Sequence, residues 1–245
     1  MKFFRYLMRN RSMGNIISLK NYYLNNKNDI ISISGPSGSG KTTLALQLFS
    51  SLIQLDMEEK CIWVEASEPF PKKRLEALLS GNLTRKTYVL KNTFIFPSDH
   101  VITSFKEQLD LLVSLSSRAY PPGIKYFVVD NISHHLRLYL SLQRNITQRS
   151  KEINRFFDEA LFPLIMRFKR ENIIFIMIHE ISQDPNTGVN HPFFHKLFNR
   201  VQAIHFSFQG SLRLGTHILN IIPHTEQSFQ VSYELKNEGI FICHL

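Results

Sequence analysis

A glycine-rich loop between a strand-like and a helix-like segment constrains the fold more than any other feature of the sequence. Residues 35–43 read GPSGSGKTT and match the pattern G-x-x-x-x-G-K-[ST]. The β-branched run of residues 29–34 predicts a buried strand, and leucines at helical spacing predict a helix over residues 41–56. This order is typical of a phosphate-binding loop, because the helix N-terminus and the turned backbone N–H groups attract phosphate oxygens.

The loop predicts individual roles. Lys41 is expected to reach the β- and γ-phosphates, and the Thr42 hydroxyl is expected to bind Mg²⁺. Asp130 ends a strongly apolar segment, so we predict it as the second magnesium ligand. The alternatives are a helix-capping role for Asp130 and a loop that no longer binds nucleotide. The predicted nucleotide-binding residues are Gly35, Pro36, Ser37, Gly38, Ser39, Gly40, Lys41, Thr42 and Thr43.

Strand-like and helix-like segments alternate through most of the chain, which predicts a parallel α/β sheet covered by helices on both faces. The later strands are predicted at residues 61–66, 93–96, 126–130 and 173–178, and the helices at 72–79, 104–118 and 151–170, the last bent near Pro163. Four further strand-like runs at hairpin spacing predict an antiparallel extension; they are residues 203–208, 217–222, 229–235 and 240–243. We predict one domain over residues 29–245.

The charge of the chain indicates a polyanionic partner. The net charge is +9, and nucleic acid is the commonest polyanion that proteins bind. Residues 1–28 hold six lysines and arginines and no acid, so we predict a basic arm there. An arginine-rich, acid-poor start is also typical of a mitochondrial presequence.

Other functional classes have little support. The two cysteines, Cys61 and Cys243, are far apart, which argues against a disulfide scaffold and a structural zinc site. The histidines show no HExxH spacing. The apolar runs are far shorter than the stretch of about 20 residues that spans a bilayer, so no membrane partner is expected.

Several segments in order resemble the RecA/RadA-like recombinase superfamily, in particular archaeal RadB and the eukaryotic recombinase paralogues. Residues 63–75, WVEASEPFPKKRL, resemble that family's I-D-T-E-G-x-F-x-P-E-R-L. Residues 128–137, VVDNISHHLR, look like its IVDSxxxLYR, and residues 233–240, YELKNEGI, are similar to its closing F-x-I-T-x-E-G-I. The resemblance covers residues 15 to 245. It implies a RecA-like P-loop NTPase core that binds ATP and Mg²⁺.

The departures from the family pattern concern hydrolysis. Ser67 stands where the family has its catalytic glutamate, so Glu65 and Glu68 are the candidate bases. Glu180 replaces the glutamine that senses the γ-phosphate, and His179 is a candidate to compensate its charge. We therefore expect ATP binding with weak or absent hydrolysis. Whether the chain is an enzyme, such as a weak DNA-dependent ATPase, stays open.

The resemblance also implies two DNA-contacting loops. The first spans residues 137–150 and offers Arg137, Arg144 and Arg149; the second follows Ile181 and offers Lys196 and Arg200, with Pro192 read as the first residue of a helix. The resulting interpretation is an accessory factor in homologous recombination and DNA repair. It would act inside the cell, in a nucleoid, nucleus or mitochondrion. Its partners would be DNA, expected to be single-stranded, and another recombinase or paralogue subunit.

Two alternative interpretations stay open. One is an active DNA-dependent ATPase of the RecA type. The other is a regulatory ATP-binding protein of the RecA/KaiC type that does not bind DNA.

Overall fold

The computed structural model describes residues 30–183, 190–193, 201–210, 217–223 and 228–243. The predicted arm over residues 1–28 lies outside them. Strands and helices alternate as far as the fifth strand. The strands are β1 (Ile30–Ser34), β2 (Lys60–Glu65), β3 (Thr93–Phe96), β4 (Ile124–Asp130), β5 (Ile174–His179), β6 (Ile181–Gln183), β7 (Asn190–Pro192), β8 (Ile204–Gly210), β9 (His217–Ile222), β10 (Phe229–Lys236) and β11 (Gly239–Cys243). The helices are α1 (Lys41–Leu52), α2 (Lys72–Leu78), α3 (Leu83–Lys91), α4 (Phe105–Ser117), α5 (His134–Leu142), α6 (Ile146–Phe156) and α7 (Phe162–Glu171).

The main sheet has nine strands in the order β11–β10–β9–β8–β1–β5–β4–β2–β3. The strands from β8 to β3 run parallel, and β9 to β11 continue the sheet antiparallel. The structure confirms the predicted parallel sheet with an antiparallel extension. β8 joins the two parts, because it pairs parallel with β1 and antiparallel with β9. β6 and β7 form a separate antiparallel hairpin.

Apolar side chains fill both faces of the sheet. Along β1, Ile31 and Ile33 join the core beneath α1, whereas Ile30 joins the core beneath α4 to α7. Trp63 is fully buried on the first face, and Phe127 packs against Phe168 on the second at 4.6 Å between ring centroids. The continuous apolar runs in the sequence arise because helices cover both faces of the parallel strands.

The long helix predicted over residues 151–170 is divided into three parts. α6 ends at Phe156, a π-helical turn covers Phe157–Leu161, and α7 begins one residue before Pro163. Proline has no N–H to donate and crowds the carbonyl four residues earlier. The wider π turn just before the proline accommodates that conflict.

Two predicted loops contain regular structure. Residues 137–150 were expected to form a loop, but α5 and α6 occupy most of this segment and leave only 143–145 between them. Leu136 and Leu140 are buried one helical turn apart, which fixes α5 against the core. Pro192 was expected to start a helix, yet it ends β7 opposite Ile181 in a two-stranded hairpin. An edge position tolerates proline because no ladder N–H is needed there.

Among the described helices, none has both the length and the apolarity that crossing a bilayer requires.

Candidate nucleotide-binding site

The phosphate loop connects β1 to α1 and is tightly enclosed. Gly35 has φ 157°, and a Cβ placed there would lie 2.6 Å from the Phe208 Cβ on β8. Gly40 has φ 99° and caps α1, and a Cβ there would lie 3.3 Å from the Leu235 Cδ1 on β10. Left-handed backbone and the lack of space both require glycine at these positions. The loop therefore presents the free N–H groups at the start of α1 in one fixed geometry.

The loop is also held from the antiparallel end of the sheet. The Tyr233 hydroxyl on β10 donates to the Ser39 carbonyl at 2.8 Å. The N–H of Ile240 on β11 donates to the Gln47 side-chain oxygen on α1 at 2.9 Å. β10 and β11 thus hold the phosphate loop and the helix that follows it in place.

The two predicted magnesium ligands are in contact. The Thr42 hydroxyl donates to the Asp130 Oδ2 at 2.8 Å. Burial raises the pKa of Asp130 from its ordinary value of 3.8 to about 6; the Thr42 hydrogen bond and Lys41 oppose this rise, and Glu68 adds to it. A hydroxyl and a carboxylate are hard oxygen donors, and a divalent cation would offset the cost of the buried charge. These residues therefore fit Mg²⁺.

Lys41 is placed to meet an anion. Its Nζ donates to the Pro36 carbonyl at 2.8 Å, within the loop itself. Burial lowers the pKa of Lys41, and the nearby Asp130, Glu180 and Glu68 oppose that change. A partly desolvated ammonium group at the loop attracts phosphate more strongly than one in water.

A cavity of about 770 Å³ opens beside the loop. That volume lies within the range of about 300–1,000 Å³ that is usual for small-molecule sites. The cavity wall is polar and comes from the loop, the segment after β2, the ends of β4 and β5, and the start of α5. It includes Ser67, Glu68, Arg74, Asp130, Asn131, His134, Arg137, Glu180, Ile181 and Leu235.

The two candidate bases lie in different environments. The Glu65 Oε1 accepts the N–H of Phe70 at 2.6 Å, and Glu65 is not part of the cavity wall. The chain leaves the strand after Glu65, where the N–H groups of Ala66 and Ser67 both donate to the Asp130 carbonyl. Strand alternation ends at that bend, so Ser67 and Glu68 both line the cavity. Glu68 is solvent-exposed.

Glu180 lies in a charged cluster on the cavity wall. Its Oε1 is 3.0 Å from the His134 Nδ1, and its Oε2 pairs with the Arg137 guanidinium. His179 was a candidate to compensate the charge of Glu180, but its position does not suit that role. His179 is fully buried, and burial together with His205 lowers its pKa to about 3, so it is neutral. α5 supplies the compensating groups instead.

The structure separates the predicted DNA-contacting residues. Arg137 lines the nucleotide cavity, whereas Arg144 and Arg149 are exposed around the connection between α5 and α6. The Arg149 Nε donates to the Gln143 carbonyl at 2.7 Å. Lys196 and Arg200 lie outside the described residues.

Sequence reasoning missed three polar residues of the cavity wall, Arg74, His134 and Asn131. The Arg74 guanidinium donates to the Thr43 hydroxyl at 2.6 Å, which joins α2 to the phosphate loop. Arg74 lies in the segment of residues 63–75 that resembles the recombinase family, and that resemblance could have indicated it as a site residue. No sequence pattern indicated His134 as a site residue, because its partner Glu180 follows a different strand and is distant in the sequence.

Comparisons with known proteins agree with this geometry. The family model described as the NB-ARC domain matches residues 13–93, about a third of the chain, including the phosphate loop. A crystal structure of the RadB recombinase is similar, with a TM-score of 0.63 and 23% sequence identity over 86% of this chain and 89% of that chain. No curated protein matches the sequence. At this identity the likeness shows the fold, and it confirms the predicted RecA-like α/β core, a fold class that generally binds nucleotide with Mg²⁺.

Proposed function

We propose that this chain is an ATP- and DNA-binding recombinase paralogue that hydrolyses ATP weakly or not at all. One observation carries the proposal. The phosphate loop and the Thr42–Asp130 pair are in place. Ser67, however, lies on the cavity wall at the position where the recombinase family that this chain resembles has its catalytic carboxylate. A serine hydroxyl is too weak a base to activate water near neutral pH.

The residues divide between binding and positioning. The backbone N–H groups at the start of α1 and the Lys41 ammonium would bind the phosphates. The Thr42 hydroxyl and the Asp130 carboxylate would hold Mg²⁺, whose charge would be shared with the phosphate oxygens. ATP would then fix one conformation of the protein for a partner rather than drive turnover.

A second candidate function is an active DNA-dependent ATPase. Glu68 favours it, because its position on the cavity wall would allow it to act as the base. Glu65 is the weaker candidate, since its carboxylate already accepts the Phe70 N–H. The two functions differ in turnover and not in nucleotide binding.

ATP binding and hydrolysis distinguish these candidates. We expect wild-type protein to bind ATP with little turnover, with or without single-stranded DNA, and Lys41→Ala to lose binding. Ser67→Glu restores a carboxylate and is expected to increase turnover, whereas the matched variant Ser67→Gln is not. DNA-stimulated turnover in the wild type that disappears in Glu68→Gln would favour the active ATPase instead.

We place DNA binding on exposed arginines. The chain has a net charge of +9, and Arg144 and Arg149 are exposed around the connection between α5 and α6. Contacts of this kind go to phosphates and are independent of sequence. Lys196 and Arg200 remain candidates in the second segment. DNA and a second recombinase or paralogue subunit are the proposed partners, and an intracellular site with DNA follows from them.

The salt dependence of DNA binding tests this part. Removing two phosphate contacts from single-stranded DNA lowers the slope of log K against log salt by about 1.4. We expect that change for Arg144→Ala with Arg149→Ala. The charge-matched control is Lys106→Ala with Arg170→Ala, two exposed cations on α4 and α7, and its slope is expected to match the wild type. Equal slopes for all three proteins would show that Arg144 and Arg149 do not contact DNA, and no DNA binding by any of them would favour the regulatory alternative.

A further inference from the structure

The cavity wall contains a carboxylate, that of Glu180, which is paired with the guanidinium of an arginine. Glu180 pairs with Arg137 through one oxygen and contacts His134 through the other, and all three residues line the cavity beside the phosphate loop. The Arg137 side chain is 48% exposed, whereas that of Glu180 is 21% exposed. The guanidinium is therefore the more accessible member of the pair.

The backbone of Glu180 is fixed on both sides. Its N–H donates to the Ser133 hydroxyl at 2.9 Å, and that hydroxyl donates to the Asn131 side-chain oxygen at 2.9 Å. Its carbonyl accepts the N–H of Phe193, just after β7, at 2.9 Å. The Glu180 backbone is thus anchored to the segment after β4 and to the β6–β7 hairpin.

The position of the pair along the sheet brings it near the phosphates. β1 and β5 are in register with Ser34 opposite His179, so Glu180 follows β5 at the level where the phosphate loop follows β1. Glu180 also raises the pKa of Lys41, which places the carboxylate within electrostatic range of the ammonium. Lysine at this position in a phosphate loop reaches the β- and γ-phosphates.

An arginine suits either anion, since its planar fork of donors matches a carboxylate and a phosphate equally well. A triphosphate carries one more phosphate group than a diphosphate and so competes better for a cation at that end of the site. An unpaired carboxylate there would repel both nucleotides.

We propose that Arg137 determines the preference of this site for a nucleoside triphosphate over a diphosphate, and that Glu180 competes with the terminal phosphate for its guanidinium. This inference rests on the proposed nucleotide binding. In the free protein Arg137 pairs with Glu180, and a triphosphate takes the guanidinium from it. The exchange is possible because the Arg137 guanidinium is accessible on the same cavity wall as both the Glu180 carboxylate and the expected site of the terminal phosphate.

A variant cycle separates direct recognition from simple neutralisation of Glu180. Equilibrium binding of a non-hydrolysable ATP analogue and of ADP, each with Mg²⁺, is measured for wild type, Glu180→Gln, and Glu180→Gln with Arg137→Ala. Glu180→Gln is expected to tighten binding of the triphosphate more than that of the diphosphate. In that background Arg137→Ala is expected to weaken the triphosphate at least tenfold and the diphosphate less than threefold. The double variant removes both charges, so repulsion by Glu180 cannot explain the loss.

Two controls complete the test. Arg137→Lys in the Glu180→Gln background keeps the charge without the fork and is expected to recover part of the loss. Arg170→Ala, an exposed arginine on α7, is expected to leave both affinities unchanged. Equal losses for the two nucleotides, or no loss, would overturn the role of Arg137 while the proposed nucleotide binding stands. Failure of the wild type to bind either nucleotide would overturn the proposed function itself and this inference with it.

Discussion

Asp130→Asn is expected to make the free protein more stable while removing a magnesium ligand. Asp130 is 9% exposed, and burial raises the pKa of its carboxyl from 3.8 to about 6. The folded state therefore holds the proton more tightly than the unfolded chain, and the free energy of unfolding falls as the pH rises from 3.8 to 6. Asparagine carries no charge and still offers an oxygen to the Thr42 hydroxyl, so the variant avoids this loss.

The magnitude follows from the two pKa values. A pKa raised from 3.8 to about 6 corresponds to about 3 kcal/mol at pH 7.5, where the buried carboxylate is charged. At pH 5 the same linkage gives roughly half of that, because most folded molecules are then protonated. For a chain of this length 3 kcal/mol corresponds to a rise of about 6–12 °C in melting temperature.

Urea unfolding at pH 7.5 and pH 5, in EDTA and without nucleotide, measures both values. Glu68→Gln is the matched control, because it removes an exposed carboxylate from the same cavity and should change stability by no more than about 0.5 kcal/mol. A destabilised Asp130→Asn protein, or the same gain at both pH values, would refute the reasoning that Asp130 is buried at a cost.

Three further substitutions test the supports of the site by thermal or urea unfolding. Tyr233→Phe removes the hydrogen bond to the Ser39 carbonyl and is expected to cost about 1 kcal/mol and to weaken nucleotide binding; unchanged binding would show that β10 does not support the loop. Gln108→Leu leaves two buried backbone carbonyls after β4 without the side-chain amide that donates to them, and is expected to lower the free energy of unfolding by about 1–3 kcal/mol. Unchanged stability would show that solvent replaces the amide. Gly35→Ala forces a Cβ against Phe208 at a positive φ and is expected to cost about 2 kcal/mol or more; wild-type stability would show that β8 yields there.

The sequence predicted those parts of the fold that depend on local pattern. The strand, loop and helix around residues 30–52 follow from apolar periodicity and glycine placement over a short stretch. The parallel pairing of β8 with β1 was missed, because the two strands are far apart in sequence and nothing in either one specifies its neighbour. α5 was missed because its apolar residues do not share one face: Leu136 and Leu140 are buried, whereas Leu138 and Leu142 are exposed.

The same distinction applies to the site. The Thr42–Asp130 contact was predictable, since a loop motif and an acid that ends a buried strand have a defined relation in parallel sheets. The role of Glu65 was not, because its carboxylate accepts an N–H that the turn after β2 brings to it. The pairing of Arg137 with Glu180 depends on α5 and β5 meeting at one wall, so an arginine predicted for DNA contact also lines the cavity beside the phosphate loop.

The charges of the cavity explain why a ligand should stabilise this protein strongly. Asp130 is buried at a cost in the free state, and a divalent cation that contacts its carboxylate recovers that cost. Lys41 is partly desolvated and donates to a loop carbonyl, so a phosphate would be a better partner for it. Mg²⁺ and a nucleotide would therefore each relieve a different unfavourable charge. If both bind as proposed, their stabilising effects should depend on each other, because Lys41 and Asp130 line the same cavity.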